Sequence, residues 1–133
     1  MDLAMQELTK SLKRELREQS MLAHEEELHR ALLPLAEKFE QWREGKVESG
    51  ELALIIRDWD LGPQKELFKK YNYGIKEMNV AHAIVTGILE ERKVDAELLR
   101  ALERHLAFYR AQIPEAAESS ESGVTRDAPT SGA

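Results

Sequence analysis

Between residues 21 and 113 apolar side chains recur every three or four positions almost without interruption, and this period restricts the fold more than any other feature. Met21, Leu28, Leu32, Leu35, Phe39 and Trp42 follow a 7-4-3-4-3 spacing, which places them on one side of a helix with Glu and Arg on the other. No window of alternating residues bounded by turn signals competes as a strand. The expectation is an all-α fold, a small bundle of four to five helices with a long or kinked N-terminal helix.

Breaks and caps divide the pattern. Pro34 lacks the N–H that would bond the carbonyl of Arg30, so it should kink the first helix or start a new one. Gly45 supplies a stop, because glycine is favoured in the left-handed conformation just past a helix end. Ser49 is placed to cap the next helix, whose apolar side is Leu52, Ile55, Ile56 and Trp59. Gly62-Pro63 reads as the end of that helix and the start of a short one reaching Tyr71, since proline is well tolerated at a first helical position. After the turn residues Asn72-Tyr73-Gly74, Ile75, Met78, Ala81, Ile84, Val85, Ile88 and Leu89 mark a longer helix. An interior Gly87 costs about 1 kcal/mol against alanine there, which predicts a neighbouring helix crossing closely. Asp95 caps the last helix, with Val94 before it and Leu99 four residues inside as a hydrophobic staple. Pro114 ends it.

Three segments follow: an amphipathic N-terminal arm (1–20), a helical bundle domain (21–113) and a disordered acidic tail (114–133). The tail carries four acids against one Arg, and Val124 is its one apolar residue larger than proline, so burial cannot offset the entropy of ordering it. The arm has only the thin line Leu3, Met5, Leu8, Leu12 and Leu16, which is marginal without a partner surface. Strict heptad steps continued from Leu12 land on Glu15 and Gln19, so a regular two-stranded coiled coil is not expected over the arm.

The 133 residues include 19 Lys or Arg and 25 Asp or Glu, a formal charge of −6. That balance argues against a general nucleic-acid binder, whose affinity rests on neutralising phosphates. The absence of cysteine removes thiol catalysis, disulfides and thiolate zinc sites. No apolar stretch approaches the roughly 20 residues of a membrane span, and Met1–Ser20 is too charged for a signal peptide. No membrane and a cytoplasmic setting are expected.

Candidate chemistry is sparse. His24 and His29 are five apart, about 140° round a helix, so they chelate one ion poorly, and Glu26-x-x-His29 is the lone Glu-x-x-His pair where a di-iron bundle needs two. A solvated acidic helix side explains the cluster better. Asp58-Trp59-Asp60 resembles the opening of a calcium loop, but Pro63 and Lys69 stand where glycine and a bidentate Glu are required. His82 and His105 lie by apolar stripes and could pair across the bundle. The sequence thus predicts no catalytic residues, no metal and no cofactor. One segment reverses the charge: Arg57, Lys65, Lys69, Lys70 and Lys76 against Asp58, Asp60 and Glu66, interleaved with Trp59, Phe68, Tyr71 and Tyr73. Trp59 and Phe68 suit core anchors, and Tyr71 and Tyr73 an exposed pair.

Two functional expectations result. The first is a non-enzymatic protein-interaction or regulatory module, a homo-oligomer or the subunit of another protein, contacting through Leu8, Leu12, Leu16 and the Tyr71/Tyr73 turn. The second is an adaptor for an anionic partner or single-stranded nucleic acid, using Arg57, Lys65, Lys69 and Lys70.

Overall fold

A computed structural model describes residues 8–113, and no strand occurs among them. The elements are α1 (Lys10–Arg43), α2 (Ser49–Trp59), a π-helical turn (Asp60–Gln64), α3 (Lys65–Tyr73), α4 (Lys76–Val85), a 3-10 turn (Glu91–Lys93), α5 (Ala96–Ala101) and α6 (Glu103–Gln112). The expected all-α bundle with a long N-terminal helix is the fold of this chain. Residues 1–7, with Leu3 and Met5, and the tail 114–133 lie outside the described residues.

α1 is one helix of 34 residues running through Pro34. Thr9 caps it, its hydroxyl oxygen accepting the Leu12 N–H at 3.0 Å. The boundary drawn at residue 20 therefore falls inside α1. Gly45, at φ +84°, ends the helix: its N–H bonds the Trp42 carbonyl, and the Lys46 N–H bonds the Gln41 carbonyl. This pair of bonds is the Schellman motif, which needs the left-handed residue glycine supplies.

Three expected boundaries move. Ser49 is the first residue of α2 rather than its cap, and its hydroxyl instead accepts the Trp42 indole N–H at 3.0 Å. Gly62-Pro63 does not break the helical path, because the π turn carries the chain from α2 into α3 without interruption. An i→i+5 turn holds one residue more than an α turn. Trp59 and Leu67, which both face inward, are eight apart where two α turns span about seven, so the wide turn keeps α2 and α3 presenting the same side to α1. Gly87 is not interior to a helix. α4 stops at Val85, and Gly87, at φ +83°, closes a second Schellman motif, with Ile88 N–H bonding Ala83 O at 2.8 Å and Gly87 N–H bonding Ile84 O at 3.2 Å. Nothing lies within 4 Å of where its Cβ would be, so no helix crosses there.

The core occupies one end of the molecule. α4 is its centre, packed between α1 and α6. Val80, Ala81, Ala83 and Ile84 meet Leu16 and Ala23 of α1, Leu98 of α5, and Leu102 and Leu106, with Leu89 and Val94 from the connection between α4 and α5. Alanines at 23, 81 and 83 leave little side chain between the helices, which suits close approach. Asp95 caps a helix as expected, Oδ1 accepting the Glu97 N–H at 3.0 Å, with Val94 buried and Leu99 packed on the core, but the single last helix expected up to Pro114 is split at the buried Leu102 into α5 and α6.

The other end is a hairpin. α2 packs on α1 and the π turn, and Val47 and Leu52 are buried near the α1–α2 connection, outside the main core. The Trp59 indole N–H donates to the Ala31 carbonyl at 2.9 Å, beside the Arg30 carbonyl that Pro34 deprives of a helical partner.

The two glycine classes behave oppositely on substitution. Gly87→Ala is expected to lower unfolding free energy by about 1 kcal/mol through left-handed strain. Gly50→Ala, inside α2 with open space around the new methyl, is expected to be neutral or stabilising by up to about 1 kcal/mol. Denaturant titration of both variants measures the difference.

Candidate functional site

Two features stand out: a half-buried polar cluster where α3 crosses α1, and an uncovered apolar side of the hairpin. The cluster centres on Glu27. Its Oε2 accepts the Lys70 ammonium at 2.7 Å and the Tyr71 hydroxyl at 2.5 Å. His24, one turn earlier on α1, stacks on the Tyr71 ring at 4.6 Å between centroids. The Lys70 backbone carbonyl accepts Asn79 Nδ2 at 2.8 Å and the Gly74 N–H at 3.0 Å, tying α3 to α4.

Burial by itself would raise the Glu27 pKa, but the hydrogen bonds from Lys70 and Tyr71, with the Lys70 charge, hold the carboxyl below its usual 4.5. Burial raises the Tyr71 phenol, and the bond to Glu27 and its charge raise it further. His82 of α4 sits in the field of the same pair. Its Nδ1 is buried without a hydrogen-bond partner, and its ring meets Tyr109 of α6 edge-on at 5.1 Å. Burial lowers its pKa from 6.5, Lys70 adds to this, and Glu27 opposes it. Chemically the cluster is a clamp, because Lys70 and Tyr71 of α3 both donate to one oxygen of α1.

Several expected contact residues are placed otherwise. Leu16 lies in the core, and Leu8 and Leu12, partly buried, pack against it, so these three residues expected to await a partner meet the protein's own helices. Tyr71 is buried, while Tyr73 is 77% exposed. The exposed pair is therefore a single tyrosine. Lys70 is neutralised by Glu27, which leaves Arg57, Lys65 and Lys69 as the exposed cations of the expected anion surface. Trp59 is half-buried, but Phe68 is exposed rather than a core anchor. The ring that His82 meets belongs to Tyr109, and His105 is half-buried one turn before it. Among the described residues no three His, Asp or Glu side chains converge to hold a metal ion, and no helix is long and apolar enough to cross a membrane.

The second feature was legible only as a stripe. At about 100° per residue, Met21, Leu28, Leu32 and Phe39 fall within roughly 40° of one another on α1, with Leu35 and Trp42 beside them. α2 meets α1 along the line through Ala31 and Trp59. Turned in the same sense from that line, Ile56 of α2 lies on the same side of this antiparallel pair as Leu32 and Phe39. Leu32, Phe39, Trp42 and Ile56 remain between 37 and 43% exposed, with Glu25 and Arg43 along one edge of the α1 stripe. Leu33 and Leu54 are exposed on other sides, as single apolar residues often are.

Comparison with known protein families, curated proteins and solved structures finds no match to this chain.

The clamp predicts an acid-sensitive fold. The folded-state pKa of His82 lies below 6.5 and that of Glu27 below 4.5, so each contributes stability that is present at neutral pH and lost as pH falls through those values. The unfolding midpoint should therefore drop in two stages, the first as pH falls below 6.5 and the second as it falls below 4.5. His82→Phe removes the first stage and Glu27→Gln the second. At neutral pH Glu27→Gln should cost about 2 kcal/mol, the scale of hydrogen bonds to a charged group, as read by denaturant unfolding.

Proposed function

We propose that this chain is a non-enzymatic helical interaction module that docks a protein partner on the uncovered side of the α1–α2 hairpin. The supporting observation is the contrast between its two ends. One end buries a continuous core from five helices, while the hairpin leaves Leu32, Phe39, Trp42 and Ile56 partly in solvent along one side. A helix pair gains stability by burying its apolar stripe against another layer, and here that layer is missing. Contiguous apolar exposure on a folded surface marks an interaction site.

The magnitudes favour a reversible contact. Fully burying such a side chain is worth roughly 1.5–3 kcal/mol, and these four are already more than half covered, so each adds about 1 kcal/mol. The sum is modest beside the cost of association, so affinity depends on the fit of the whole side. The anionic-partner alternative is weaker, because the clamp withdraws Lys70 and Tyr71 from the surface it would use.

A photoreactive phenylalanine analogue placed at Phe39 or at Leu33 in cells tests this. Both positions are exposed, but they face different directions on α1. Adducts from position 39 and not from 33 are expected. No adduct from position 39 would overturn the docking role.

A further inference from the structure

We propose that the occupant of this side is a second copy of the chain, related by a two-fold axis that runs the two α1 helices antiparallel through Leu35. The proposal rests on the docking role of the hairpin and names its partner. Three features of the stripe agree with this arrangement, and two of them disagree with a parallel one.

The first is shape. The stripe has leucines at one end, Leu28 and Leu32, and aromatic rings at the other, Phe39 and Trp42, with Leu35 midway. Antiparallel pairing about Leu35 sets Phe39 opposite the other copy's Ala31, beside its Leu32, and Trp42 opposite its Leu28, so each ring meets smaller side chains. A parallel pairing stacks tryptophan on tryptophan and leaves the leucine end thin. Pairing of this kind is isologous, and it closes at two copies.

The second is register on α2. Trp42 bonds Ser49 and Ala31 bonds Trp59 across the hairpin, so the level of Leu35 on α1 is the level of Ile56 on α2. A two-fold axis through Leu35 thus brings Ile56 onto the other copy's Ile56. One axis satisfies both helices, and the product is a four-helix arrangement made of two hairpins. Its contact runs about 21 Å from Leu28 to Trp42, at 1.5 Å per residue.

The third is charge. Glu25 and Arg43 are exposed at the same edge of the stripe, near its opposite ends, and Arg43 also pairs with Glu40 of its own helix at 3.2 Å in a solvent-exposed contact. Antiparallel pairing about Leu35 places residue 43 of one copy across from residue 27 of the other, within about half a turn of Glu25. Opposite charges then meet twice, once at each end. Parallel pairing sets Arg43 beside Arg43. The antiparallel sense also puts the two compact ends, which hold α4, α5 and α6, at opposite ends of the dimer, where they do not collide.

Sedimentation equilibrium of the full chain across the micromolar range tests the proposal, with circular dichroism to confirm helicity. A monomer–dimer equilibrium is expected, and Phe39→Glu should weaken it at least tenfold. If that variant loses its helicity, the charge pair carries the test. Glu25→Arg and Arg43→Glu should each weaken the dimer severalfold, and the two combined should restore it. A chain that stays monomeric throughout, or a double reversal no better than the single ones, overturns the proposal. A monomeric chain that still forms adducts from position 39 with a heavier protein in cells sinks the second copy alone. Absence of any such adduct sinks the docking role itself.

Discussion

One carboxylate oxygen of Glu27, shared by Lys70 and Tyr71, determines where α3 crosses α1, and the rest of the chain takes its course from that crossing. Upstream, α2 runs back along α1 from the hairpin turn: from Ser49 to Trp59 it advances nearly as many residues as α1 does between Trp42 and Ala31. Beyond the π turn the match ends. From Trp59 to Tyr71 the chain advances three times as many residues as separate Ala31 from Glu27, so α3 leaves α1 obliquely. Downstream, the Lys70 carbonyl holds Gly74 and Asn79, which starts α4 on its path through the core. A half-buried ion pair is a doubtful source of net stability, since desolvation consumes much of its attraction. Its value here is geometric, because breaking it leaves a charge without a partner at the junction of three helices.

The prolines show how the same helices tolerate disruption. Pro34 sits inside α1 and Pro63 inside the α2–α3 path, and neither ends its helix. At Pro63 the π turn widens the spiral so that the ring need not collide with the carbonyl four residues earlier. At Pro34 a neighbouring carbonyl takes a hydrogen bond from the indole of Trp59 on the adjacent helix. In both places packing between α1 and the α2–α3 path offsets a local cost that an isolated helix would not bear.

The hairpin and the compact end are thus built on different terms. The compact end surrounds α4 on two sides with small and branched side chains, although Met21, Leu22, Ile75 and Phe108 around it stay exposed. The hairpin has two helices and therefore one contact line, and a stripe wider than that line must show one flank to solvent. That flank, rather than the clamp, is where the molecule has apolar surface to offer. The clamp's bonds from Lys70 and Tyr71 end on Glu27, and its titration bears on whether α3 is held against α1.

Helical character, the cap at Asp95 and the stop at Gly45 were legible in the sequence because each arises from a few neighbouring residues. The period of apolar residues, a carboxylate before a helix and a glycine after one act within a turn or two. Gly62-Pro63 and Gly87 mislead for the converse reason, since whether such residues bend, widen or end a helix depends on what packs against them. Glu27 looks like any member of an acidic helix side, because its partners Lys70 and Tyr71 are more than forty residues away in sequence. Leu16 and Leu32 belong to apolar lines of similar appearance, yet the first is buried and the second open. Only the tertiary structure decided this, since a stripe records which side of a helix avoids water but not how many other helices arrive to cover it.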